Sequence, residues 1–254
     1  MLIDYSVRGE GEPLVLIHGL FGTRENLGAI AKLLSEQFCV YSIDLPNHGR
    51  SGQIDDFDLH SMADGIYAWM QSIELSSAHF FGHSLGGKAA MELALNYPAS
   101  VISLIVADIA PVAYEHRHEG VFSGLLSVDL NTLNSRIEAD KVLAQTIPEK
   151  PVRSFLLKNL QKDELGKFQW RMNLVAIHTH YADLIKGNSE AVFNKPVLFL
   201  KAENSDYIKS DYREAIVSRF PKTELKVVSN TGHWLHAEKP ELISRLVLRF
   251  LKAI

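Results

Sequence analysis

The chain carries a serine set closely among glycines, Gly82-His83-Ser84-Leu85-Gly86-Gly87. An apolar run at residues 78–81 precedes it, and a helix-forming run at 88–97 follows. G-x-S-x-G between a strand and a helix is the setting of a nucleophile elbow. A serine at the tip of a sharp, strained turn exposes its Oγ, and side chains in place of the glycines would collide with strand and helix. The hydroxyl needs a general base, and the base needs an orienting acceptor. His233 lies in Thr231-Gly232-His233-Trp234, just after the last predicted strand, and is the expected base. Two acids are candidates for the third role, Asp108 and Asp206. A developing oxyanion needs two N–H donors. The backbone of Leu85 follows the nucleophile and supplies one, and Leu20 in the His18-Gly19-Leu20 turn supplies the other. His18, His83 and His236 are read as loop-bracing groups.

These residues need a scaffold that brings strand ends together. Residues 2–7 and the apolar run 14–17 read as strands, then a helix at 25–35, a strand at 39–43 and a helix from an N-cap at Ser61 to residue 73. The strand into Ser84, the helix to Tyr97 and a strand at 101–107 follow. Continuous apolar strands alternating with helices imply a mostly parallel sheet covered on both faces, an α/β fold. In such sheets ligands bind at the carboxyl ends of the strands. His18, Asp44, Ser84, Asp108, the 203–206 turn and His233 all fall there. Alternation stops after Pro111. Residues 112–194 show helical patterning and no convincing strand, with helices expected around Leu125, Leu126, Leu130 and Leu133 and at 152–160. The strand pattern returns at 197–200, then a helix at 211–220, a strand at 225–229 and a helix at 240–252. The division is a core at 1–111, a helical lid at 112–195 and a second core segment at 196–254. The lid length exceeds that of an ordinary loop.

The His18-Gly19 loop, the D-x-x-x-H-G-x-S pattern from Asp44 to Ser51, the Ser84 elbow and Gly232-His233 together resemble the α/β-hydrolase superfamily along nearly the whole chain. More narrowly, residues 82–89, Asp108-Ile109-Ala110-Pro111 and residues 199–208 resemble the YbfF-type esterases, which are bacterial serine carboxylesterases. The resemblance implies an α/β-hydrolase fold with a helical lid inserted after the sixth strand. It also implies hydrolysis of short-to-medium acyl esters through an acyl-enzyme on Ser84. Most of the superfamily places its acid in a G-x-x-D turn after the strand at 196–201. Here Ser205 occupies that place and Asp206 falls one residue late. The resemblance therefore favours Asp108 as the acid, with Ser205 bridging it to His233 and Asp206 as the alternative. A thioesterase, a menaquinone-pathway-type lyase and a non-catalytic ligand sensor remain alternatives on the same fold.

Smaller features have competing readings. Phe168, Trp170, Tyr181 and Trp234 are candidates for an acyl pocket. His116/His118 and His178/His180 have metal-ligand spacing only if they lie on strands. They fall in helix or loop without a carboxylate cluster, so no metal and no cofactor is expected. Lys88 is four residues before Glu92, which suits a surface pair. Cys39 is the only cysteine and is expected to be buried and inert. The chain has 254 residues, 46% hydrophobic, with a formal net charge of -4. That suits one α/β domain and offers no basic footprint for nucleic acid. No membrane insertion and no signal peptide are read, which makes a cytoplasmic location the default expectation. The expected partners are a small acyl ester and water.

Overall fold

The computed structural model describes residues 2–55 and 57–254, leaving Met1 and Asp56 outside the description. The chain runs β1 (Tyr5–Arg8), β2 (Pro13–Ile17), α1 (Gly28–Leu34), β3 (Cys39–Ile43), α2 (Leu59–Ser72), β4 (Ala78–His83), α3 (Leu85–Asn96) and β5 (Val101–Ala107). An inserted segment follows with α4 (Glu119–Leu126), α5 (Arg136–Leu143), α6 (Lys150–Leu156), β6 (Leu160–Lys162), β7 (Phe168–Trp170), α7 (Leu174–Thr179) and α8 (Tyr181–Leu184). The core resumes with β8 (Val197–Ala202), α9 (Arg213–Arg219), β9 (Thr223–Val228), α10 (Leu235–Glu238) and α11 (Pro240–Leu251). The main sheet has strand order β1-β3-β2-β4-β5-β8-β9, with only β1 antiparallel to its neighbour.

The apolar strands are buried on both faces. Leu14 and Leu16 of β2 pack with α1 and α11, while Val15 and Ile17 pack with α2 and α3 on the opposite side. Period-two alternation therefore sends apolar groups both ways, and no polar position interrupts the run. The chain passes from β2 outward to β3 and then returns to β4 on the other side of β2. Such a reversal leaves a crevice between the carboxyl ends of β2 and β4.

Several local expectations need correction. The helix at 59–72 starts from Asp58, not Ser61. Asp58 Oδ1 accepts from Ser61 N at 2.7 Å, and Ser61 Oγ accepts from Asp58 N at 2.9 Å, a reciprocal capping box. The helix around Leu125 stops at Leu126, and Asp129 accepts from Asn131 N and Thr132 Oγ1, closing a turn that contains Leu130 and precedes Leu133. The insertion is not all helical. Its β6–β7 hairpin pairs Leu160 with Trp170 and Lys162 with Phe168. Asp163 Oδ1 builds the connecting turn by accepting from Leu165 N and Lys167 N, and Gly166 supplies the positive φ. The insertion leaves after the fifth strand of the chain rather than the sixth, since a single edge strand precedes β2. Cys39 is half-buried, being the first residue of β3.

Candidate active site

Ser84 sits between β4 and α3 with φ 53° and ψ −120°. This conformation is rare for a residue with a side chain and costs of order 1–3 kcal/mol. Packing on both sides holds it. A Cβ on Gly82 would lie 2.3 Å from the Gly86 carbonyl oxygen, and one on Gly86 would lie 2.4 Å from the carbonyl oxygens of Ile17 and His18. Only glycine lets α3 press this closely on β2 and β4. Ser84 N donates to Ala107 O at 3.0 Å, and Lys88 N donates to Ser84 O at 3.1 Å, fixing both sides of the turn.

Asp108 directly follows β5, also at positive φ (53°), and is fully buried. Its Oδ1 accepts from Ala202 N at 2.9 Å. Its Oδ2 accepts from Ser205 Oγ at 2.5 Å and faces His233 Nδ1 at 2.8 Å. Three hydrogen bonds compensate a carboxylate that burial would otherwise penalise. The contact to His233 is direct, so Ser205 steadies the carboxylate instead of bridging it to the ring. Asp206 points elsewhere. It is exposed and pairs with Arg117 at 2.9 Å, which holds its carboxyl below the usual range. The alternative acid is thus not brought to the histidine.

Tyr207 and Tyr114, which sequence patterns did not single out, join His83 to complete the surroundings of His233. The Tyr207 ring stacks on it at 4.1 Å, and the His83 ring lies at 4.8 Å. His83 Nε2–H donates to the His233 carbonyl at 2.8 Å. Tyr114 OH donates to Tyr207 O and accepts from Ala110 N at 2.8 Å, tying the stacking partner to the Asp108 loop. Only the placement of Tyr207 two residues after Ser205 hints at this from sequence.

The loop carrying Leu20 is braced by two neutral histidines. His18 Nδ1–H donates to Gly19 O at 2.8 Å, and its Nε2 accepts from Leu45 N at 3.0 Å. His48 Nε2 accepts from Phe21 N at 3.2 Å. Burial pushes His48 down to about 3 and lowers His18 as well. Asp44 explains the D-x-x-x-H-G-x-S pattern, accepting from Arg24 N at 2.7 Å and Arg50 N at 2.9 Å.

A cavity of about 1010 Å³ opens on Ser84, His233, His18, Leu20 and Trp234. A smaller one of about 40 Å³ lies beside Ser84 and Leu85 and includes Tyr181. Phe168 and Trp170 do not line either. They lie on β7, half-buried against the main apolar cluster, because the unforeseen hairpin turns them there. Lys88 is not a surface residue. Its Nζ is buried and donates to Val112 O at 2.9 Å and Lys186 O at 2.6 Å, both on the insertion, and burial lowers its pKa to about 7. The His118 ring meets Tyr181 OH at 2.6 Å and His178 packs on Phe122, and among the described residues no group of three or more His, Cys, Asp or Glu is placed to hold a metal ion.

A parallel sheet with a serine on a strained strand-to-helix turn is the architecture of a hydrolase class. The model of the alpha/beta hydrolase fold family matches residues 12–240, and the chain belongs to that family. Esterase YbfF of Escherichia coli is 32% identical over 240 residues, covering 94% of this chain and 92% of that protein. The sn-1-specific diacylglycerol lipase ABHD11 of Mus musculus is 33% identical over 247 residues, covering 94% and 80%. A solved structure described as a marine microorganism esterase is 36% identical with a TM-score of 0.96, covering 98% of this chain and all (100%) of that one. The resemblance to the YbfF-type esterases therefore extends over nearly the whole chain. Among the described residues no helix is long and apolar enough to cross a membrane.

Proposed function

We propose that the protein is a serine carboxylesterase for short-to-medium acyl esters. Ser84 is the nucleophile, His233 the general base and Asp108 the orienting acid. The observation that carries this reading is the 2.8 Å contact from Asp108 to His233 Nδ1, with the ring and the strained Ser84 opening on one cavity. The relatives named as esterases and lipase support the ester bond as the target.

With Nδ1 donating to Asp108, His233 presents Nε2 as the acceptor for the Ser84 proton. Ser84 Oγ attacks the ester carbonyl carbon. The resulting oxyanion rests on the N–H groups of Leu20 and Leu85. The C–O bond to the alcohol breaks as His233 returns the proton to the leaving oxygen. Water, deprotonated by His233, then cleaves the acyl-enzyme and releases the acid and free Ser84. The segment 112–195 acts as a lid, contributing Val121, Phe155 and other residues to the large cavity wall.

The test is hydrolysis of p-nitrophenyl esters from acetyl to dodecanoyl by the wild type and by Ser84→Ala. Turnover in the wild type that vanishes in the variant is expected. A folded wild type that hydrolyses none of them, or a variant that keeps full turnover, overturns the proposal.

A further inference from the structure

The two cavities meet at the nucleophile and differ in which catalytic groups they reach. Both are walled by Leu20, Ser84, Arg117, His118 and Tyr207. The larger one continues past His233, Trp234 and His236 and beneath Val121 and Phe155 of the insertion. The smaller one runs the other way, past Leu85 toward Ile109, Leu184 and Ile185. Among the described residues, His233 is on the wall of the larger and not of the smaller.

The chemistry assigns the two sides. When the tetrahedral intermediate collapses, the leaving alcohol oxygen takes its proton from His233 Nε2. The alcohol therefore lies on the His233 side, in the cavity of about 1010 Å³. The acyl chain, on the opposite side of the reacting carbon, enters the chamber of about 40 Å³. Resting on the Ser84–His233 mechanism above, we propose that the substrates are esters of short-chain acids with bulky, largely apolar alcohols, and that Leu184, Ile185 and Ile109 set the acyl limit. The chamber has about 40 Å³ against about 1010 Å³ for the larger cavity, so a short acyl chain fits it and a long one does not. Its end wall cannot simply retreat, because Leu184 is 1% exposed and Ile109 3%. Nor do the chamber's described residues offer a free cation for an acidic acyl tail, since Arg117 on its wall pairs with Asp206 at 2.9 Å. Lys88 reaches its wall, but the Lys88 ammonium is taken by the carbonyls of Val112 and Lys186.

Two matched ester series on the full chain test the partition. Octyl acetate, octyl butyrate and octyl octanoate vary the acid. Methyl, butyl and octyl acetate vary the alcohol, with leaving groups of similar intrinsic reactivity. The expected result is a loss of at least about tenfold in kcat/KM from butyrate to octanoate. Along the acetate series kcat/KM should instead rise or hold. Leu184→Ala should raise kcat/KM for octyl octanoate by about tenfold relative to that for octyl acetate. Ile185→Ala provides the same readout at a second wall position. Methyl octanoate is assayed beside the two series, and its turning over better than octyl acetate would place the chains the other way round and overturn the proposal. Equal kcat/KM for those two esters would also overturn it, by removing the partition. If Ser84→Ala hydrolyses the same esters at the wild-type rate, or the wild type hydrolyses none, the mechanism itself fails and the partition with it.

Discussion

Lowering the pH from 8 to 5 destabilises this protein through histidines that the fold holds neutral. Both nitrogens of the buried His48 are committed. Nδ1–H donates to Pro46 O at 2.9 Å, and Nε2 accepts from Phe21 N at 3.2 Å. Burial pushes this ring down to about 3, and it does the same to His236, packed 4.2 Å from the His83 ring. In the unfolded chain a histidine titrates near 6.5. Below that pH the unfolded state takes up protons that the folded state refuses. The stability present above pH 6.5 is therefore lost progressively as the pH falls toward 3. At about 1.4 kcal/mol per pH unit, each ring costs about 2 kcal/mol by pH 5, and the pair about 4 kcal/mol. His83 and His18 are lowered by burial too and add to the loss. A domain typically has only about 5–15 kcal/mol to lose. The assay is urea unfolding followed by tryptophan fluorescence at pH 8 and pH 5, on the wild type and on His48→Gln. The wild type should lose at least about 4 kcal/mol between the two conditions. The variant should start less stable at pH 8 but lose about 2 kcal/mol less on acidification. A wild-type stability that changes by less than about 1 kcal/mol would refute the claim that folding keeps these rings unprotonated.

Other expectations follow from single contacts. Asp108→Asn removes the acceptor that fixes the His233 tautomer and should lower kcat by up to ~10⁴, as the equivalent change does in other triads. Asp206→Asn, which only releases Arg117, should change kcat by less than about threefold, within what a surface ion pair contributes. Gly86→Ala drives a methyl into the carbonyls of Ile17 and His18, so soluble protein from this variant should unfold at least about 3 kcal/mol more easily than wild type in the same urea assay. Lys88 is lowered to about 7 by burial, while the unfolded lysine titrates near 10.4. The unfolded state then binds more protons between these values, so stability rises with pH across that window. The wild type should gain about 2 kcal/mol from pH 7 to pH 9, and Lys88→Met should lack that gain.

What sequence revealed and what it missed divide along the range of the forces involved. The elbow was legible because its requirement is local. A strained serine pressed between two elements demands glycine at fixed offsets, and those offsets are visible in a string of letters. The double-sided burial of β2 was legible for the same reason, as four consecutive apolar residues. Asp108 was reachable only through the family resemblance and the one-residue displacement of Asp206. It and Asp206 both follow a strand, and only the register of β5 against β8 puts Asp108 Oδ1 on Ala202 N and leaves Oδ2 for the histidine. The insertion was read least well. Its hairpin depends on Asp163 and Gly166 making a turn that holds two three-residue strands, too short for alternation to show.

Lys88 and Glu92 show why i,i+4 spacing misleads here. The spacing is that of a surface pair, but α3 is buried between the sheet and the insertion. Each charge turns instead to a distant partner. Lys88 Nζ holds the carbonyls of Val112 and Lys186, at the two roots of the insertion. Glu92 accepts from Asn188 Nδ2 at 2.8 Å and Ser189 N at 3.1 Å, one turn further along the same helix. The helix that begins with the nucleophile thus also anchors both ends of the segment that walls the cavities. A shift of those roots would move Leu184 and Ile185, which wall the small chamber, relative to Ser84. The acyl limit and the fixation of the insertion therefore rest on one helix. Loosening Lys88 should accordingly broaden acyl selectivity before it affects the chemistry at Ser84.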